Sequence, residues 1–147
     1  MSFLLYPMIV IAGVLQAFGN SMNAQLKNSL QNPWLASLVS FGLIMAALLV
    51  VFAIAPSPLP TSEGIASMPW WAPLGGLAGA VAVFLGLLFV GKLGAGPFNG
   101  LLITANLIAS LLIDHWGLLH MPVRSLSPGR FIGGILMIGG ILLISKF

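Results

Sequence analysis

The sequence has very little charge and no cysteine. Its 147 residues include five lysines or arginines and two acidic residues, so only 5% of the chain is charged. Proteins on average carry about 25% charged residues, and a soluble globular domain is therefore excluded. The absence of cysteine excludes disulfides, thiolate metal sites and cysteine nucleophiles.

Sequence motifs typical of nucleic-acid-binding proteins and of enzymes are also missing. The five cations are scattered singly, so the net charge of +3 does not indicate a nucleic-acid partner. No phosphate-binding glycine motif, metal-ligand cluster or Ser/His/Asp constellation is present. We therefore expect no enzymatic activity, cofactor or metal.

Long apolar runs lie between the rare charges. Apolar residues make up 59% of the chain, and the mean hydropathy is +1.12. Because a helix needs about 20 apolar residues to cross a bilayer, the sequence predicts an all-α integral membrane protein, a single transmembrane domain over residues 1–147. The five predicted spans are Phe3–Met22, Pro33–Ala55, Trp70–Gly91, Pro97–His115 and Pro128–Lys146.

The prolines and glycines agree with these spans. Asn32-Pro33 and Ser127-Pro128 each place a capping side chain directly before a proline, which is typical of a helix start. Gly91 and Gly117 are predicted to end the third and fourth spans.

The cations give only a weak orientation bias. Five spans place three lysines on one side of the membrane and both arginines on the other. Because cationic loops normally set orientation, a difference of one charge permits insertion in both directions or in one. Insertion in both directions would let two copies pair antiparallel, as the halves of inverted-repeat transporters do.

Polar side chains recur on one face of the first and fourth spans. Polar residues inside a bilayer are costly and are usually functional. Helical spacing places each set along one face, with Gln16 and Asn106 near mid-membrane. Two interpretations remain open: a substrate-binding lane across the membrane, or amides that hold helices together at about 0.6 kcal/mol each. The six predicted substrate-binding residues are Gln16, Asn20, Asn23, Asn99, Asn106 and Ser110.

Two further groups are candidate sites. Asp114 and His115 form the one adjacent acid–histidine pair; they are candidates for ion coupling, since histidine titrates near neutral pH. The alternative is a helix-end charge paired with Arg124 or Arg130. In the last span, small residues that allow close helix approach predict a dimer interface, with packing inside one subunit as the alternative. These residues are Gly129, Gly133 and Gly140.

Four stretches carry a family resemblance. The most specific is SLLIDHWG, from Ser110 to Gly117, and the others lie at residues 15–42, 69–80 and 92–115. Together they resemble the YdcZ-like branch of the drug/metabolite transporter superfamily, related to the small multidrug resistance transporters. The resemblance implies five transmembrane helices, a bacterial inner-membrane location and pairing into a ten-helix assembly. The family commonly has Gly-Gln where this chain has Ala105-Asn106.

The residues and the resemblance together indicate a small-molecule transporter subunit that acts by alternating access as an antiparallel dimer. Its partner would be a second copy or a paralogue. Since no carboxylate lies at mid-membrane, neutral, zwitterionic or hydrogen-bonding substrates suit the lane better than cations. The alternative function is a structural or accessory membrane subunit that transports nothing itself.

Overall fold

The computed structural model describes residues 5–147 of the chain. Over that range the regular structure is helical, without a strand, as the sequence predicts. The predicted start of the first span at Phe3 lies outside the described residues. The helices are α1 (Leu5–Leu30), α2 (Pro33–Ile54), α3 (Ser62–Ala66), α4 (Leu74–Leu93), α5 (Ala95–Trp116) and α6 (Pro128–Lys146), with a 3₁₀ turn at Leu118–His120.

Five of these helices, all except the short α3, are long and apolar enough to cross a membrane. This confirms the predicted number of spans; the fourth and fifth predicted spans are α5 and α6. No more than 17% of the most apolar 18 residues of any span is buried within the chain. Most apolar side chains of the spans are thus left for lipid or for another subunit to cover.

Side-chain caps fix two of the helix starts where the sequence predicts them. Asn32 Oδ1 accepts the backbone N–H groups of Trp34 and Leu35, at 3.0 and 3.1 Å. Ser127 Oγ accepts the N–H of Arg130 at 3.4 Å. Each cap satisfies donors that the first helical turn leaves unpaired, and each is followed by a proline that needs no donor.

The helix that contains the first predicted span continues past the predicted end at Met22, since α1 runs to Leu30. No proline or glycine interrupts residues 23–30, and the helix ends only at Gln31, which has a left-handed φ of 51°. At 1.5 Å per residue the 26 residues of α1 span about 39 Å, against about 30 Å of hydrocarbon. Either α1 tilts or its last turns, with Lys27, reach the headgroup layer.

The third and fourth spans also have shifted ends. Residues 69–73 form turns, with the N–H of Ala72 donating to Pro69 O at 3.0 Å, so α4 begins at Leu74 rather than Trp70. Gly91 does not end this helix, which runs on to Leu93; the break comes at Gly94, whose φ of 87° suits glycine. The next helix starts at Ala95, two residues before the predicted Pro97.

The loop between α2 and α4 contains a helix that the sequence analysis does not predict. Its N-terminus is capped by Thr61, whose Oγ1 accepts the N–H of Gly64 at 3.1 Å. The helix is only five residues long, which is too short for an apolar periodicity that a sequence pattern could reveal.

The chain divides into two compact units, Met1–Lys92 and Leu93–Phe147. In the first unit α1 packs on α2, and the stacked rings of Trp34 and Phe84, 4.7 Å apart, join α2 to α4. In the second unit α5 packs on α6, and Gly100 lies directly against Ile141. The single transmembrane domain stays a prediction.

Candidate functional site

The polar face of α1 changes from exposed to buried along the helix. Gln16, near the midpoint of α1, is exposed, whereas Asn20 is only 7% exposed and Asn23 is half-buried. The longer helix places all three residues inside α1 rather than partly beyond its end. The buried residues of α1 and α2 are small or polar, which permits close approach of helices. They are Asn20, Ala24, Ala36 and Ser37.

A hydrogen bond between side chains joins α1 to α2. The Ser40 hydroxyl donates to Asn23 Oδ1 at 3.0 Å. This contact supports the helix-packing interpretation for Asn23, because it pairs two helices of the same unit. It also orients the amide, so that its NH₂ group is left to donate elsewhere.

The same bond forms part of the wall of a cleft beside α1 and α2. The cleft has a volume of about 750 Å³ and is shallow and widely open to its surroundings. Five polar side chains and four apolar ones line it, and none of them is charged. Most of the surface that they expose is apolar, so the cleft suits neutral molecules with a large apolar part and a few hydrogen-bonding groups. The lining residues are Ser21, Met22, Asn23, Gln25, Leu26, Ser29, Ser40, Leu43 and Ile44.

Three of the cleft residues were missed by the sequence analysis. Ser21, Gln25 and Ser29 are spaced four apart, which places them on one face of a helix. Ending the first span at Met22 assigned Gln25 and Ser29 to a loop and hid this spacing. The uninterrupted stretch from Asn23 to Leu30 was the pattern that could have shown it.

The polar residues of α5 lie largely on its exposed side. Asn106 is at the midpoint of the helix and is exposed, as is Ser110, whose hydroxyl donates to Asn106 Oδ1 at 3.4 Å. Asn99 is half-buried, and its Nδ2 donates to Ala95 O of its own helix at 2.8 Å. Asn106 and Ser110 are therefore linked to each other and are not used to join α5 to α6.

The glycines of α6 divide between two sides of the helix. Gly134 is buried, and a methyl group there would lie 3.8 Å from Leu111 of α5. The predicted interface glycines Gly129 and Gly140 are exposed and Gly133 is half-buried, and a methyl group at any of them would meet nothing within 4 Å. Packing inside the unit thus uses Gly134 and leaves the predicted interface uncovered.

Asp114 and Arg130 form an ion pair at the α5–α6 turn. Arg130 Nη1 lies 3.9 Å from Asp114 Oδ2, with about a third of each side chain exposed. The same Nη1 donates to Arg124 O at 3.3 Å. This pair agrees with the alternative interpretation of Asp114 as a helix-end charge matched by an arginine.

His115 makes a different contact in the same turn. Its Nδ1 accepts the backbone N–H of Leu126 at 3.2 Å, and its ring is tilted against Trp116 with centroids 5.6 Å apart. The residue before it, Asp114, accepts the N–H of Arg124 on its backbone carbonyl at 2.8 Å. The adjacent acid and histidine therefore both hold the loop that leads to α6.

The described residues contain no site suited to a metal ion. Between residues 5 and 147 no three histidine or acidic side chains are grouped closely enough to hold one. The polar side chains of the described spans are instead mainly amides and hydroxyls, which bind other groups by hydrogen bonds.

These features define a multi-pass membrane protein whose polar groups lie on helix faces within the spans. The chain belongs to the family described as "Putative inner membrane exporter, YdcZ", which matches residues 4–143. The suspected resemblance is thereby confirmed, and so is the predicted location in the bacterial inner membrane. Membership of an exporter family supports a transporter in preference to an enzyme.

One curated relative matches part of the chain. The inner membrane protein YdcZ of Escherichia coli (strain K12) is 30% identical over 84 residues, which cover 57% of this chain. The match spans about half of the relative's own length, 56%. No solved structure matches the chain.

Proposed function

We propose that the chain is one subunit of a small-molecule transporter that works by alternating access as a dimer with a second copy inserted in the opposite orientation. In this proposal α1 and α5 each contribute a polar face to the substrate path. Gln16 and Asn106 are its midpoint contacts, and Asn20, Asn23, Asn99 and Ser110 line the approaches.

One observation carries the proposal: two amide side chains lie exposed at the midpoints of membrane-spanning helices. Gln16 and Asn106 hold neither α1 to α2 nor α5 to α6, and both are open on the surface of a single chain. Facing lipid at that depth would be unfavourable, so polar residues in spans usually face other protein or water. A second subunit that encloses a polar cavity would give these amides both protein and water to face.

The chemistry of these side chains favours a substrate class. Amides and hydroxyls both donate and accept hydrogen bonds, and none of the six proposed residues is charged. The cleft beside α1 and α2 is also uncharged, and its lining is mostly apolar. The proposed substrates are therefore neutral or zwitterionic molecules with hydroxyl or amide groups and some apolar surface.

A binding and exchange assay tests this function. The purified protein is screened by thermal melting against neutral, zwitterionic and cationic solutes, and stabilising solutes are then tested for counterflow in proteoliposomes. Stabilisation and exchange of one neutral or zwitterionic class support the proposal. Stabilisation only by cationic solutes would contradict the substrate class, and binding without any exchange would contradict transport.

A second function has its own support. The Ser40–Asn23 bond supports it, because there an amide side chain holds α1 to α2. If every amide has that role, the chain is a structural or accessory membrane subunit. Replacing Gln16 and Asn106 by leucine would then lower helix association or melting temperature, whereas the transporter proposal expects nearly unchanged stability.

A further inference from the structure

An apolar cavity lies between α5 and α6. It has a volume of about 190 Å³ and is partly enclosed, and the eight residues that line it are a glycine and seven with apolar side chains. Such a cavity offers water no hydrogen-bonding partner and therefore does not hold it. Neutral substrates that rely on hydrogen bonds have no partner there either, so the cavity suits a hydrocarbon group.

The cavity extends along the helices. Leu126 and Phe131 line it at the α5–α6 turn, and Ile138 lines it near the middle of α6. Phe131 and Ile138 are seven residues apart, which is about 10 Å along a helix. One leaflet of a bilayer with about 30 Å of hydrocarbon is about 15 Å deep. This position and length match an acyl chain that descends from the headgroup layer.

The packing of α5 on α6 is uneven, which confines the cavity to one leaflet. Away from the turn, Gly100 lies directly against Ile141. Nearer the turn, Gly134 faces Leu111 without a side chain of its own, and a methyl group there would still lie 3.8 Å away. Both of these residues line the cavity. The gap is therefore a property of the half of the helix pair that leads to the turn.

Two arginines lie at the turn end of the cavity. Arg124 is exposed and comes two residues before Leu126, and Arg130 directly precedes Phe131. Trp116, which ends α5, is 62% exposed, and tryptophan at a helix end is typical of the headgroup layer. The two guanidinium groups are thus at the depth of lipid phosphates, next to a cavity in the hydrocarbon below.

The positive charge of this turn is only partly neutralised. In the unit Leu93–Phe147 the sequence has one acidic residue, Asp114. Its carboxylate lies 3.9 Å from Arg130 Nη1, and about a third of each side chain is exposed; exposed pairs of this kind contribute little free energy. One carboxylate beside two arginines leaves a net positive charge, which is complementary to the phosphate of a lipid.

We propose that the α5–α6 turn binds one anionic phospholipid, with an acyl chain in the cavity and the phosphate on Arg124 and Arg130. Arginine makes strong, often bidentate hydrogen bonds to phosphate, and basic pockets between transmembrane helices bind anionic headgroups. The site lies within one subunit and is independent of whether the protein transports a substrate.

Native mass spectrometry of the full chain tests the site. The protein in a neutral detergent receives equal amounts of phosphatidylglycerol and phosphatidylcholine with the same acyl chains. One phosphatidylglycerol is expected to stay bound, with a preference of about fivefold or more over phosphatidylcholine, the effect of one basic residue near a membrane surface. Equal retention of the two lipids would overturn the proposal.

Arg124→Gln tests the headgroup contact. The contacts of Arg124 with Asp114 and Arg130 use its backbone, so the turn should remain intact in this variant. The preference for phosphatidylglycerol should fall about fivefold. Lys27→Gln removes a cation near the opposite membrane surface and should keep the preference. An unchanged preference in Arg124→Gln, or an equal fall in Lys27→Gln, would overturn the proposal.

Leu112→Trp tests the acyl-chain contact. Leu112 lines the cavity and is 42% exposed, so the larger ring should fill the space and remove the bound lipid. Leu101→Trp is the matched control, because Leu101 is 47% exposed and lies 11 residues earlier on nearly the same face of α5; it should keep the lipid. Equal loss in both variants would contradict the site, as would displacement of the lipid by millimolar inorganic phosphate, which would indicate an anion site without an acyl chain.

Discussion

The Ser40 hydroxyl on α2 lies 3.0 Å from Asn23 Oδ1 on α1 and donates a hydrogen bond to it. It is the side-chain bond that separates the two interpretations of the polar residues, because Asn23 is used for packing while Gln16, two turns earlier, is exposed. The polar face of α1 thus has two parts: one that holds α2 through Asn23, and one, at Gln16, that is exposed.

Removing this bond should weaken the α1–α2 pair modestly. Ser40→Ala is expected to lower the free energy of unfolding by about 0.6 kcal/mol, the typical value for such a bond in a membrane. Ser37→Ala is the control, since Ser37 donates to Pro33 O of its own helix at 2.9 Å. Unfolding in mixed micelles measures both; an equal loss in the control would contradict a specific interhelical bond.

Asn106→Leu should separate binding from stability. The Asn106 side chain is exposed, and its hydrogen bond is to Ser110 of the same helix. The melting temperature of the variant should therefore change little. The stabilisation produced by a bound neutral or zwitterionic solute should be lost. Thr104→Val is the control on the buried side of α5, where Thr104 is 6% exposed; it should keep the ligand response.

Two results for Asn106→Leu would contradict this prediction. If Asn106→Leu keeps the full ligand-induced shift, Asn106 is not part of the substrate path. If it lowers the melting temperature without ligand, the packing interpretation holds for Asn106 as it does for Asn23.

The contact between α5 and α6 at Gly100 predicts a coupled pair of substitutions. A methyl group at Gly100 would collide with Ile141 Cδ1, and overpacking a tight contact costs about 1–3 kcal/mol. Gly100→Ala should therefore destabilise the protein, and adding Ile141→Val, which removes that methyl group, should restore part of the loss. Strictly additive effects of the two changes would contradict direct contact.

The exposed glycines of α6 predict an effect on assembly alone. A Cβ atom at Gly140 would meet nothing within 4 Å inside the chain, and the residue is exposed, so Gly140→Leu should let the subunit fold normally. If this face packs against a second copy, the variant should shift the protein from dimer to monomer in native mass spectrometry. Gly139→Leu, also free of neighbours within 4 Å but about 100° around the helix, should leave the dimer intact; equal loss in both would contradict this interface.

The number of membrane spans was predictable from the lengths of the apolar runs, and two helix starts were predictable because neighbouring residues determine them. Asn32 and Ser127 cap the helices that Pro33 and Pro128 begin, using only neighbouring residues. The end of α1 was missed because the length of a bilayer crossing was taken as the length of the helix. A helix stops where its backbone is interrupted, here at Gln31, and not where hydrocarbon ends.

The candidate site was predictable in part. Helical spacing identified the faces of α1 and α5, and the possible pairing of Asp114 with Arg130 followed from two opposite charges in a short turn. The bond from Leu126 to His115 was not predictable, because it joins a backbone group to a side chain across 11 residues of irregular loop. Such contacts depend on left-handed residues at Leu119 and His120 that no sequence pattern requires.

The most direct test of the central claim, an antiparallel dimer of identical subunits, is the orientation of the chain in the membrane. Single cysteines at Asn28 and Ser125, which five spans place on opposite sides, are labelled in intact cells with a membrane-impermeant maleimide before and after lysis. The account predicts that about half of the molecules of each variant react before lysis, since both orientations are present. Complete labelling of one variant with none of the other would mean a single orientation and would contradict the account.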